Sequence, residues 1–243
     1  MIRGFYGSCG SGKTHTIKVL VGLSLKANRG PFVVCDLNNE WAKRGAGLDE
    51  PIRRAGGSYR WCRVPDARTA AAALGDGFGL VLVQPGAAEL DLPPDAPHDL
   101  RMRPLAPLVD ELGAACIAHP GPAILVLPEA HTSAREGYPL PPSLRSIVHR
   151  WRHPSVNAGL WYDTQHFADV SKDLERAARY LYLFANGSAV DLRKIRELGG
   201  TVGGPMLEAA IIEAGKRATK GQPGYHVRLG MLDRGGPYKL RRV

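Results

Sequence analysis

Residues 7 to 14 read Gly7-Ser8-Cys9-Gly10-Ser11-Gly12-Lys13-Thr14, a G-x-x-x-x-G-K-T pattern in which every fixed position has a chemical task. The glycines let the backbone curl until successive N–H groups point inward, and the helix opening behind them adds its partial positive charge. Such a nest accepts the di- or triphosphate of a nucleotide. Lys13 would reach the β- and γ-phosphates, Thr14 would offer its hydroxyl to Mg²⁺, and His15 completes the phosphate-binding set. A second candidate group comes much later. Glu129 stands in Pro128-Glu129-Ala130-His131, directly after the apolar run Ala123–Leu127. A carboxylate just past the carboxyl end of a strand beside the phosphate-loop strand lies where open α/β sheets bind ligands. Glu129 is therefore the candidate general base for an attacking water.

These groups need a sheet edge to hold them. Apolar runs of strand length fall at Ile2–Tyr6, Pro31–Asp36, Ser58–Val64, Gly79–Gln84, Ala123–Leu127, Ala158–Tyr162 and Tyr180–Ala185. Helical patterns fall at Lys13–Ala27, Arg103–Ala118, Pro142–Trp151, Lys172–Arg179, Val190–Leu198 and Pro205–Ala218. This alternation predicts an α/β fold, a mainly parallel sheet with helices on both faces. The phosphate motif then sits between a strand and a helix, as its chemistry requires. Asp36 and Glu40 follow the strand expected to neighbour the phosphate-loop strand, and both are candidate site residues. Asp36 is read either as a metal ligand or as the cap of a turn. The proline-rich stretch Pro85–Pro104 reads as a surface excursion. A P-loop nucleotide-binding domain is expected over residues 1–204, followed by a basic helix and tail over 205–243 packed on it, with the glycines at 199, 200, 203 and 204 as a hinge between them.

The chain has 243 residues, 44% of them apolar, which suffices for a conventional core and excludes collagen-like, coiled-coil and disordered readings. No apolar run approaches eighteen residues and no signal peptide is recognisable, so a cytoplasmic setting is expected. Cys9, Cys35, Cys62 and Cys116 lack C-x-x-C spacing, which suggests neither a zinc site nor a disulfide framework. The net charge of +9 is concentrated: Lys216–Val243 carries eight Lys or Arg against Asp233 alone. A terminal basic block is the electrostatic footprint of a protein that meets polyanions.

The order of these features resembles a known family. A phosphate loop near the start, a second strand ending in Asp36-Leu37-Asn38-Asn39-Glu40-Trp41, an apolar strand running into Glu129-Ala130-His131, an Arg-rich segment, and then Gly159-Leu160-Trp161-Tyr162-Asp163-Thr164-Gln165 are similar to the HerA/FtsK superfamily of DNA-pumping P-loop ATPases. That superfamily includes viral genome-packaging ATPases and Zot-like ATPases of phage assembly. The resemblance covers about residues 2–198 and implies a RecA/FtsK-like fold, with ATP and Mg²⁺ as cofactors. It also implies Glu129 as catalytic base, Gln165 as γ-phosphate sensor, and an arginine, Arg150 or Arg152, reaching into a neighbouring subunit of a ring. One position departs from the pattern. Where the family carries Asp before the catalytic Glu, this chain has Pro128, which offers no side-chain oxygen. Mg²⁺ would then be held by Thr14, phosphates and water, or another acid such as Asp36 would contribute.

The function so implied is a DNA-translocating ATPase acting on double-stranded DNA. It would work as a homo-oligomeric ring, a hexamer or pentamer, in viral genome packaging with a capsid or membrane vertex protein as partner, in the host cytoplasm or on the virion. Two other readings share the phosphate loop. A small-molecule kinase would use Arg145–Arg152 as a lid, and a Zot-like assembly factor would usually carry a transmembrane helix.

Overall fold

The computed structural model describes residues 1–37, 40–43, 47–54, 59–85, 105–150, 153, 156–217, 225–230 and 238–242. The proline-rich excursion beyond Pro85 and Arg152 lie outside them.

Eleven strands are formed among the described residues: β1 (Ile2–Tyr6), β2 (Phe32–Cys35), β3 (Ala42–Lys43), β4 (Gly47–Leu48), β5 (Trp61–Val64), β6 (Leu80–Val83), β7 (Ala123–Leu127), β8 (Ala158–Thr164), β9 (Tyr180–Phe184), β10 (His226–Gly230) and β11 (Leu240–Arg241). Nine of them make one sheet in the order β11-β10-β9-β1-β8-β7-β2-β6-β5. The seven from β9 to β5 run parallel, and β10 and β11 add antiparallel strands at one edge. Strands covered on both faces read as unbroken apolar runs, as in FVVC, LVLV and AILVL. Successive side chains still alternate between two cores. Phe32, Val34, Leu80, Leu82, Val126 and Trp161 pack with Ile17, Val21 and Leu25 of α1 (Lys13–Lys26) and Ile52 of α2 (Glu50–Arg54). Val33, Cys35, Val81, Val83, Leu125 and Leu127 face the other way. There they meet α3 (Ala67–Gly75), α4 (Leu105–Ala118), α5 (Pro142–Arg150), α6 (Lys172–Ala177) and α7 (Ala189–Lys216).

Three differences from the sequence reading have physical causes. First, β1 pairs with β8 and β9, so neither the strand before Asp36 nor the strand before Glu129 neighbours it. A parallel crossover satisfies the chain whichever strand it lands beside, and composition does not choose among apolar partners. Second, α3 is a helix in a stretch without a clean apolar period. Its alanines supply propensity, and Asp66 caps it by accepting the Thr69 amide at 2.7 Å. Third, the two helices expected at 190–198 and 205–218 belong to one helical stretch that bends at Gly200 (φ 69°, ψ −173°). Only glycine adopts that conformation freely, and a Cβ on Gly204 would collide with the Arg196 carbonyl across the bend.

The basic C-terminal segment also carries strands. Val227 and Leu229 of β10 pack into the α3–α7 core while Arg228 between them stays exposed, an alternation hidden by the charge around it. No helix among the described residues is long and apolar enough to cross a membrane.

Candidate nucleotide site

The phosphate loop lies at the carboxyl edge of the sheet, between the ends of the two strands that flank β1. Gly7 donates its amide to the Thr164 carbonyl (3.4 Å), and Ser8 donates both its amide and its Oγ to the Ala185 carbonyl (2.9 Å each). Gly10 and Gly12 have φ of 75° and 91°, the left-handed region that lets the loop turn its amides inward. Helix α1 begins with no side-chain cap and no acid in its first turn, so its leading N–H groups keep their partial positive charge for a ligand. The Ser11 hydroxyl is buried in the loop without a protein partner. Lys13 Nζ donates to the carbonyls of Gly7 (2.6 Å) and Ser8 (3.1 Å), which fastens the ammonium to the rim. Uncapped amides, an orphaned hydroxyl and a fixed cation together fit a polyphosphate. Thr14 and His15 stand half-buried in the same first turn.

The acids converge from two further strands. Glu129 follows β7 through Pro128 and takes φ 52°, ψ 52°, a left-handed conformation that costs a non-glycine residue about 1 kcal/mol or more. Its amide donates to Asp163 Oδ1 at 3.0 Å, and its carbonyl accepts the Thr132 amide at 2.9 Å. These two bonds hold the strained turn. Asp163, the penultimate residue of β8, is 3% exposed. Burial pushes its carboxyl up to about 6, against the pull of the nearby Lys13 ammonium. Burial in turn lowers Lys13, and the negative groups opposing that are Asp163, Cys9, Glu129 and Glu40. Lys13, Asp163 and Glu129 thus form one electrostatic cluster, with Glu40 at its margin.

Gln165 leaves the end of β8 half-buried. Its loop is stapled by Asp191, which is 1% exposed and accepts from Phe167 N (2.9 Å) and Asn186 Nδ2 (3.1 Å) while pairing with His166 Nδ1 (2.6 Å). Asn186 Nδ2 also donates to the Gln165 carbonyl at 3.4 Å. Because Ala185 anchors Ser8, the turns after β8 and β9 and the phosphate loop are tied into one frame.

Asp36 is placed elsewhere. Its buried carboxylate accepts the amides of Glu40 (2.9 Å) and Trp41 (3.1 Å) and Nε2 of Gln84 (2.7 Å), at the end of a strand separated from β1 by β8 and β7. The turn-capping reading of Asp36 describes this geometry, and the metal-ligand reading does not. Among the described residues no group of three or more His, Cys, Asp or Glu is set to hold a metal by itself. The donor set suits Mg²⁺ arriving with a nucleotide, since that ion keeps several waters and needs one or two protein oxygens. Thr14 would hold it, and the Asp163 and Glu129 carboxylates lie beside the same loop.

Arg150 closes α5 at the opposite edge of the sheet. From it the chain steps through His153 N to Arg150 O (2.7 Å) and Val156 N to His153 O (3.0 Å) to Asn157, whose carbonyl accepts the Ala123 amide at the start of β7 (3.0 Å). The five residues of β7, about 17 Å, separate that end from Glu129. Arg150 is exposed at that edge, away from its own phosphate loop.

Asp163 is the site residue that the motifs do not single out, since it stands inside an apolar strand. A signal for it exists nonetheless: a lone carboxylate in the strand AGLWYDT is costly to bury without a task.

No family model and no curated protein matches the chain. Solved structures do. The genome packaging NTPase B204 from Sulfolobus turreted icosahedral virus 2, in complex with AMPPCP, aligns at 16% identity and TM-score 0.66 over 99% of this chain and 96% of that one. VirB4 of Thermoanaerobacter pseudethanolicus aligns at 13% identity and TM-score 0.60, covering 100% and 89%. The bacterial conjugative coupling protein TrwB aligns at 11% identity and TM-score 0.55, covering 100% and 77%. The chain has the fold of a P-loop NTPase, shared with these solved structures.

Proposed function

We propose that this protein is an ATP hydrolase that moves double-stranded DNA, working as a ring of identical subunits in viral genome packaging. The observation that carries the reading is the gathering of Lys13, Glu129 and Asp163 around a phosphate loop that opens a helix with no side-chain cap. Amides of the loop and of the first turn of α1 receive phosphate oxygens, and Lys13 offsets charge on the β- and γ-phosphates. Glu129, fixed in its left-handed turn, accepts a proton from the attacking water, and Gln165 reports on the γ-phosphate from the neighbouring strand end. Mg²⁺, held by Thr14, would supply positive charge against the negative charge growing on the phosphates. Likeness to a packaging NTPase and to two proteins of the same fold supports the class of activity.

Placement of Arg150 supports the ring. If Arg150 acts in hydrolysis it must do so at a neighbour's site, where a guanidinium is worth about 10³–10⁵ in rate. Arg150→Ala is expected to lower hydrolysis by at least tenfold without weakening ATP binding to the monomer. Mixing Arg150→Ala with Lys13→Ala subunits is expected to recover part of the turnover, because some interfaces then pair an intact loop with an intact arginine. Mixtures as inactive as their parents would place the arginine outside the reaction. Arg152 is tested in the same way.

The polyanion surface is proposed at the β10–β11 edge. Arg228 lies 5.2 Å over the Tyr180 ring, and Arg217 and Arg242 lie 5.9 and 5.5 Å from the Tyr225 ring, so the aromatics hold cations outward along one edge. Turnover measured with and without duplex DNA is the test of function, and it should rise with DNA and need no phosphate acceptor. Replacing Arg217, Arg228 and Arg242 with alanine should lower duplex affinity. The slope of log affinity against log salt should flatten by up to about 0.9 for each phosphate that is no longer neutralised. DNA-independent turnover with an unchanged salt slope would reject a DNA motor.

A further inference from the structure

The phosphate site has a carboxylate on the wrong strand. Pro128 occupies the position before Glu129, at the end of β7, and has no oxygen to give. Leu127 pairs with Tyr162 on β8, so the next residues, Pro128 and Asp163, stand at the same height on adjacent strands. Two residues earlier, Val126 and Trp161 pack in the core shared with Ile17 and Val21 of α1. Alternation therefore directs positions 128 and 163 toward the same face, the face from which α1 and its phosphate loop are reached. β8 is moreover the immediate neighbour of β1, with Asp163 opposite Phe5, whereas β7 is one strand further away. Asp163 is almost wholly buried. One of its oxygens accepts the Glu129 amide, and the other receives no hydrogen bond among the described residues.

We propose that Asp163 supplies from β8 the carboxylate that β7 lacks, accepting a water of the nucleotide-borne Mg²⁺ on Oδ2 while Oδ1 holds the catalytic turn. The inference rests on the ATP-hydrolysing reading of the site. One acid then performs two tasks, fixing the Glu129 backbone and orienting the ion's hydration shell. Proline at 128 is tolerated because no side-chain oxygen is needed there.

Asp163→Asn separates the two tasks, since an amide oxygen still accepts from the Glu129 N–H and the side chain keeps its size. The probe is Mn²⁺, followed by its electron paramagnetic resonance signal, titrated into protein saturated with a non-hydrolysable ATP analogue. Asp163→Asn is expected to weaken Mn²⁺ binding about 10- to 100-fold, while affinity for the analogue without metal does not fall. Adding Pro128→Asp to Asp163→Asn, with melting curves to confirm folding, should restore Mn²⁺ affinity from the neighbouring strand. Wild-type Mn²⁺ affinity in Asp163→Asn would overturn the assignment and leave Asp163 as a support for Glu129 alone. A wild-type protein that binds neither analogue nor Mn²⁺ would overturn the hydrolase reading and this assignment with it.

Discussion

Glu129→Gln should bind ATP as tightly as the wild type and lose hydrolysis by a factor of about 10²–10⁴, the range expected when a positioned general base is removed. Glutamine matches glutamate in size and keeps the amide that donates to Asp163, so the turn at φ 52° should persist. What it lacks is the capacity to take a proton from water. Phosphate release at saturating ATP, set beside equilibrium binding of the same nucleotide, distinguishes loss of the base from loss of the site. Unchanged turnover would remove Glu129 from the chemistry and leave its strained turn unexplained.

Lys13→Ala acts one step earlier, on binding. A charge-assisted bond to phosphate contributes about 1.5–3 kcal/mol, and Lys13 would make more than one, so affinity for ATP should fall about 10²–10³-fold. The substitution also releases the Gly7 and Ser8 carbonyls that the ammonium fastens, and the loop loses its inner tie. Calorimetric titration with ATP reads the loss, and a melting curve shows whether the sheet beneath is intact. Retained affinity would mean that the phosphates are bound somewhere other than this loop.

Much of the fold is legible in the sequence because its strands are buried on both faces. Runs such as Ala123–Leu127 and Tyr180–Phe184 are apolar without interruption and bounded by turn formers, and local composition suffices to find them. The phosphate loop is legible because its residues are consecutive. Spatial order is not. The insertion of β8 between β1 and β7 depends on which apolar strands pair, a non-local choice that leaves no mark on either strand alone. The same limit hides Asp163, which stands level with Pro128 across a strand boundary. Asp36 shows the converse. An acid at a strand end resembles a ligand in sequence, but the amides of Glu40 and Trp41 and the Gln84 side chain consume its oxygens. The C-terminal strands are hard to see because Arg228, Arg241 and Arg242 dominate a segment whose buried apolar side chains, Val227 and Leu229, are few.

In the proposed reaction a triphosphate sits on the amides ahead of α1 and the acid at 129 activates the water that attacks it. A structure of the Glu129→Gln protein with ATP and Mg²⁺ tests this most directly. γ-Phosphate oxygens should lie within hydrogen-bonding distance of Lys13 Nζ, with a water held between that phosphate and the side chain at 129. A nucleotide bound away from residues 7–14, or a residue 129 with no water between it and the γ-phosphate, would contradict it.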